Sequence, residues 1–374
     1  MSAVAPWGTD PATTGATIGR IGLRAALKRH RMRQAVLGVV VLALLLLVIF
    51  LSTSWGVQTL TPSQTLRAIA APLLPASALL DLSATQIAVV QNLRLPRTLM
   101  GLVCGAGLAM AGVAMQGITR NPLVSPYTLG ISPAAAFGAS LSILFGWHVI
   151  PDTGLYLTVA MAFASAALCA AVVLGLASLR GVNAMVLILG GVGLTYLFSA
   201  MTATVQFVAS EQQLASIVHW IFGSLNGRRW DEVAIAGGVW LLCAPLLFAK
   251  AGALNAFAAG GDDVAASLGY AVQRTRLLVS LAAVLSSAAI VSFTGVIGFV
   301  GLVAPHIARM AIGGDHRVLM PFAAVVGALL VVSADLVGRL AFAPIMVPVG
   351  IVVAYLGVPL FLHLLLTRRQ EISA

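Results

Sequence analysis

The sequence predicts an all-α fold, a polytopic transmembrane helical bundle of about ten spans. Three observations predict it. Of the 374 residues, 60% are hydrophobic and only 9% are charged, against about 25% charged in soluble domains. A soluble fold of this size cannot hide so much apolar side chain, so the natural solvent is lipid. The apolar residues fall into runs close to the ~20 residues that cross a bilayer's hydrocarbon. The 37 glycines do not mark disorder in such a chain, because Gly is common in membrane helices, where it lets backbones approach.

Taken in order, the chain divides into a basic N-terminal tail (1–33), a membrane domain (34–367) and a short C-terminal tail (368–374). Residues 1–19 are small and polar, carry Pro6, Gly8, Pro11 and Gly15, and read as mobile. Arg20, Arg24, Lys28, Arg29, Arg31 and Arg33 follow, and the run 35–51 after them contains no charge. No small-residue cleavage site follows that run, so it reads as an uncleaved first span. The spans are expected at about 35–53, 97–117, 127–149, 155–178, 184–204, 232–250, 276–295, 299–312, 318–340 and 348–366. The third is expected to be interrupted by Pro133 and the short eighth by Pro305. Such breaks are tolerated where neighbouring helices or a water-lined path satisfy the freed backbone groups.

Ten crossings put both termini on one side. Fifteen of the 21 Lys and Arg residues then fall on that side and six on the other, which identifies it as the cytoplasm. The net charge of +10 is therefore a topology signal. A nucleic-acid binder gathers its basic residues on a soluble domain with stacking aromatics, and no nucleic-acid partner is expected. Cys104, Cys169 and Cys243 sit singly in apolar runs. They form neither a disulfide framework nor a metal set, and no cofactor is expected.

Three loops stand out. Residues 54–96, on the outer side, include a short amphipathic piece. Residues 205–231, also outside, carry Trp220 and Trp230 and suit an interface belt or a re-entrant loop. The inner loop, about 251–275, reads Gly260-Gly261-Asp262-Asp263-Val264-Ala265-Ala266-Ser267-Leu268-Gly269-Tyr270. Asp262 is expected to cap a short helix that Gly269 ends. A helix presented there, too short to span, can receive force from a soluble motor, or can be an ordinary loop helix.

Within the spans, Gly101, Gly105, Gly107 and Gly112 line one helix, which reads as close packing or as a helix moving beside a path. Gly295, Gly298, Gly301, Pro305 and His306 make the best hinge or gate candidate. His306 has no second His or Cys at ligand spacing, so a metal role is not expected. It is expected to bond to backbone freed by Pro305. Asn121 in an inner turn reads as a turn stabiliser. Asp335 precedes Arg339 by four residues, which favours an intrahelical ion pair.

Several of these stretches, in this order, resemble the FecCD family of binding-protein-dependent permeases. They are Arg94-Leu95-Pro96-Arg97, Gln116-Gly117 with Arg120-Asn121-Pro122-Leu123, and Leu129-Gly130-Ile131-Ser132. The inner loop with Arg274-Thr275-Arg276-Leu277 comes next, then Gly295 through Arg309, Gly314-Asp315-His316-Arg317, Ala334-Asp335 and Pro348-Val349-Gly350-Ile351. The resemblance covers about 90–366. It implies a type II ABC importer permease fold and import of an iron–siderophore, with haem and cobalamin as alternatives. It implies partners: an ABC ATPase in two copies, a periplasmic substrate-binding protein and a second permease subunit, in a cell inner membrane. Asp262, Asp263, Val264, Ala265, Ser267, Leu268 and Gly269 match its ATPase-coupling loop. Arg94, Arg97 and Arg339 match positions expected to receive acidic side chains of the binding protein. One departure is Met346, where many relatives carry an acidic residue before the Pro-Val-Gly.

Two other classes compete. An ion-coupled secondary carrier keeps carboxylates or broken-helix sites near the midplane, and here acidic residues are almost absent from the spans. An intramembrane enzyme needs a nucleophile–base pair or a metal set. The chain has no Gly-x4-Gly-Lys-Ser/Thr loop, no His-Glu-x2-His and no Gly-x-Ser-x-Gly. ATP hydrolysis is therefore expected on a separate subunit.

Overall fold

The computed structural model describes residues 11–56, 60–79, 81–149, 154–179, 184–341 and 343–367. The expected C-terminal tail, 368–374, and the first ten residues of the N-terminal tail lie outside them. Among the described residues there are fourteen α-helices and no strand.

Ten of the helices correspond one for one to the expected spans. They are α1 (Pro11–Ser54), α4 (Leu95–Thr119), α5 (Ile131–Val149), α6 (Gly154–Leu179), α7 (Ala184–Val208), α9 (Trp230–Ala249), α11 (Val272–Thr294), α12 (Val300–Ile312), α13 (His316–Leu340) and α14 (Val349–Thr367). Seven of the ten are long and apolar enough to cross a bilayer, while α5, α12 and α14 are shorter apolar helices. Four short helices complete the set: α2 (Pro62–Ala70), α3 (Ala84–Val89), α8 (Glu211–Ile221) and α10 (Ala251–Ser267).

Local chemistry sets the short helices. Thr61 with Gln64, Ser83 with Gln86, and Ser210 with Gln213 form reciprocal capping boxes at α2, α3 and α8. The loop expected to carry an amphipathic piece thus holds α2, and the Trp220 loop is helical through Ile221. Asn121 Oδ1 accepts from the Leu123 N–H at 2.9 Å, the turn-stabilising bond expected of it.

Helix α4 is the centre of the bundle: 89% of its apolar window is buried, against 11% for α1. It packs on α13, α11, α12 and α9, while α5, α6 and α7 form a neighbouring group. Two contacts of α4 are backbone on backbone. A side-chain carbon placed on Gly105 would lie 2.2 Å from the Gly327 carbonyl oxygen of α13, and one on Gly112 would lie 1.9 Å from that of Gly301 in α12. The glycine face of the sequence is thus a packing face. The poorly buried α1, α7 and α9 leave apolar side chains on the outside, as an integral membrane protein must.

Three expectations need correction. Residues 11–19, expected as part of a mobile tail, are the first turns of the α1 helix, because nothing after Pro11 forbids helix and the following run extends it. Pro133 lies in the first turn of α5, where its missing N–H costs nothing. Pro305 lies inside a continuous α12. The real break is the non-helical stretch 295–298 before it, bounded by Gly295 (φ 71°) and Phe299 (φ 64°).

Candidate functional site

Three regions carry the candidate residues. The first is the segment after α9. Helix α10 is kinked at Gly260 and Gly261, the latter at φ 78°. Beyond the kink stands a short helix over 262–267. It ends in a paired arrangement: the Gly269 N–H donates to Ala266 O at 2.9 Å and the Tyr270 N–H to Ala265 O at 3.0 Å. This closure needs a left-handed residue, and Gly269 supplies it at φ 85°. Ala265 is buried in the main core. Asp263, Ala266, Ser267 and Gly269 are exposed, and Leu268 is 63% exposed. An apolar side chain is thus presented outward on a rigidly terminated helix.

Asp262 departs from expectation. Its carboxylate does not cap the helix. Both oxygens accept from Arg276, at 2.6 and 2.8 Å, because a buried guanidinium binds a carboxylate more strongly than a backbone N–H does.

The segment shares a face of the bundle with the basic end of α1. Gln34 of α1 donates to the Ile312 carbonyl at the end of α12, at 2.8 Å. Just beyond, Asn255 of α10 donates to Asp315 at 2.7 Å and accepts from the His316 N–H at 2.9 Å. Asp315 also accepts from the Arg317 N–H at 3.0 Å, capping α13. The Asn255 bond foremost, then the Arg317 bond, hold the Asp315 carboxyl below its ordinary value of 3.8. A lowered carboxylate contributes stability at neutral pH that is lost as pH falls below 3.8 and through the folded value. Asp315→Ala is expected to cost about 1 kcal/mol of stability. The difference from the native chain should shrink on acidification through that window, as read by thermal unfolding in detergent.

The second region is the helix break. Gly295 packs on the Trp220 carbonyl, Gly223 on that of Val296, and Gly350 on those of Phe222 and Val296. Beside this junction lies a largely apolar cavity of about 550 Å³, lined by Tyr127, Phe222, Val296, Phe299, Leu302 and Ile351 among others. Phe299 is held in the left-handed region, uncommon for a bulky residue and a form of strain found at functional sites. Of the hinge candidates, Gly295 and Gly298 lie in the break, Gly301 lies in the first turn of α12, and Pro305 and His306 lie farther along that helix. Phe299 went unrecognised as a candidate, since nothing in the letter sequence marks a positive φ at phenylalanine.

The third region holds the arginines expected at an outer rim. The structure turns all three inward. Arg94 and Arg97 are each 8% exposed. Arg94 donates to the Thr53 and Ser54 carbonyls at the end of α1, at 2.9 and 2.8 Å. Arg97 grips Asp335 through Nε and Nη2 at 2.8–3.0 Å and reaches Asn226 at 3.1 Å. Arg339 pairs with the same carboxylate at 3.1 Å and donates to Ser52 O and Oγ. The expected intrahelical pair is present, but the cluster ties α1, α4 and α13 together and offers no charged rim. Burial wins because α1 ends beside these guanidiniums with unsatisfied carbonyls that need donors. The Met346 sulfur lies 3.8 Å from Arg97 Nη1, so an acidic residue at that position would join the cluster.

Among the described residues no group of three or more His, Cys, Asp or Glu could hold a metal ion.

With this geometry in hand, comparison with known proteins is specific. The pattern of the FecCD transport family matches residues 44–367. The hemin transport system permease protein HmuU of Yersinia pestis is 37% identical over 75% of this chain and 84% of its own. The cobalamin import system permease protein BtuC of Halobacterium salinarum is 39% identical over 76% of this chain and 75% of its own. A solved ABC transporter, described as of the metal-chelate type and captured inward-facing, aligns with a TM-score of 0.76 and 32% identity. The alignment covers 88% of this chain and 99% of that one. A family of this kind works with ATPase partners and a second permease. Ten apolar helices, a helix break beside an apolar cavity, and a family match over most of the length leave one conclusion: the chain belongs to the FecCD transport family, as a membrane-spanning permease subunit of an ABC importer.

Proposed function

We propose that this chain forms half of a translocation path for an iron–siderophore complex, delivered from outside by a binding protein and driven by two ATPase subunits on the cytoplasmic face. Both termini lie in the cytoplasm and the host bilayer is a cell inner membrane. The observation that carries the coupling half of this reading is the rigidly closed helix at 262–269, with Leu268 exposed beside buried Ala265. The cavity at the Gly295–Phe299 break supports the transport half. Its lining is apolar and aromatic, suited to a large chelate whose selectivity rests with the binding protein. The relatives' hemin and cobalamin keep haem and cobalamin as alternative cargoes. The second permease is a copy of this chain or a related one. Binding-protein docking belongs at the Arg94, Arg97 and Arg339 end. With these side chains buried, they shape that face and are not its charged contacts, so charge reversal there tests the buried cluster first.

The reading is tested by reconstituting the permease in liposomes with its ATPase and binding protein. Uptake of radioiron-loaded siderophore is expected only with ATP inside reach of the ATPase. Uptake driven by an ion gradient without ATP would place the chain among secondary carriers. Leu268→Arg is expected to weaken ATPase retention by about tenfold or more, as a charge at the centre of an apolar contact does. Competition by hemin or cobalamin, outrunning the siderophore, would reassign the cargo.

A further inference from the structure

We propose that Arg276 is the positioning residue that locks the exposed helix at 262–269 to the end of α4, so that the two move as one body. The proposal rests on reading that helix as the ATPase contact, and it assigns the transmission to a side chain outside the contact.

Arg276 sits in the second turn of α11 and is 5% exposed. Its planar head touches three separate segments. Nη1 and Nη2 grip both oxygens of Asp262, the second residue after the kink at Gly260. Nε donates to the Ile118 carbonyl in the last turn of α4, at 3.2 Å. The guanidinium carbon stands 5.4 Å from the ring centre of Phe257, in α10 before the kink. A fork of five donors can serve a carboxylate and a carbonyl at once and stack on a ring; an ammonium cannot.

A second contact reinforces the lock. Arg120 ends α4 in the left-handed conformation, φ 53°. Its Nη1 lies 2.5 Å from where a side-chain carbon on Gly261 would stand, so the guanidinium covers the kink backbone. The kink is thus held by one arginine on its carboxylate and another on its glycine. An ordinary loop helix does not need a buried cation spent on a carboxylate that is itself 46% exposed. From α4 the path continues through Gly112 against Gly301 into α12, whose first residue follows Phe299 at the cavity.

The test uses the complete transporter in liposomes and reads substrate moved per ATP hydrolysed. Arg276→Gln is expected to lower that ratio about tenfold, the scale of an energetic coupling between two sites, with the ATPase still bound. Arg276→Lys should fall in between. Asp262→Asn should reproduce the loss, and the double variant Asp262→Asn/Arg276→Gln should add little to it. If Arg276→Gln does not fold, the half-exposed Asp262→Asn supplies the reading. A merely structural arginine scales transport and hydrolysis together, and an unchanged ratio in the folded variants overturns the proposal. Leu268→Arg separates the two readings. If it leaves the ATPase bound, the contact assignment itself fails; if it releases the ATPase while Arg276→Gln keeps its ratio, only the lock is lost.

Discussion

Asp335→Asn is expected to destabilise the folded protein by about 3–5 kcal/mol, the cost of removing one partner from a buried ion pair. The carboxylate is 3% exposed and serves two guanidiniums. Arg97 holds it through three bonds of 2.8–3.0 Å, and Arg339 stands 3.1 Å from its second oxygen. Without it, two buried cations face each other with neutral partners such as Asn226, Ser52 and the Met346 sulfur among the described residues. The order of effects discriminates this account from simple packing. Arg339→Met leaves Asp335 paired with Arg97, and Arg97→Met leaves it paired with Arg339. Each should therefore cost less than loss of the acid. Thermal unfolding of detergent-solubilised protein measures all three, and an Arg variant worse than Asp335→Asn contradicts the shared-carboxylate account. Met346→Glu is a gain-of-partner check, since it places a second carboxylate within reach of Arg97.

The contrast between Asp335 and the arginines shows what was legible in the sequence. Asp335 and Arg339 lie four apart on one helix, so their pairing could be read directly. Arg97 lies 238 positions away from Asp335, and no local pattern announces a contact at that separation. Its guanidinium therefore looked like an outward charge at the end of a span. The seven long apolar helices were legible because a crossing needs about 20 apolar residues whatever its neighbours do, and the shorter α5, α12 and α14 were legible as apolar runs between polar turns. The helix interruption expected at Pro305 lies elsewhere for the opposite reason. Proline is a visible breaker, but Pro305 sits quietly in α12, while the break runs from Gly295 to Phe299, where tertiary contacts with Gly223 and Gly350 stabilise a backbone that phenylalanine does not favour. In the same way Asp262 carries the local signature of a helix cap, and only the folded chain reveals that Arg276 has taken its carboxylate.

Gly112→Ala should cost about 3 kcal/mol, at the upper end of overpacking penalties, although alanine is the better helix former. The added carbon would sit 1.9 Å from the Gly301 carbonyl oxygen and 2.7 Å from its carbon, and both belong to a helix backbone. A side chain in the way could rotate aside. A helix backbone can only retreat as a body, and α4 is held on its other faces by α13, α11 and α9. Gly238→Ala in α9 is the matched control. Nothing lies within 4 Å of the carbon it would gain, so helix propensity should stabilise it by about 0.5–1 kcal/mol. Opposite signs for the same substitution in two membrane helices separate steric from propensity effects. Gly112→Ala also carries a functional consequence, because α12 begins at the break beside the cavity. Pushing α12 away from α4 changes the geometry of Phe299 before any energy arrives from the ATPase. The variant should therefore lose ATP-driven uptake beyond the fraction of protein that fails to fold, as measured per folded permease in liposomes. Uptake that merely tracks the folded fraction would show that the α4–α12 contact holds the bundle together without participating in the transport cycle.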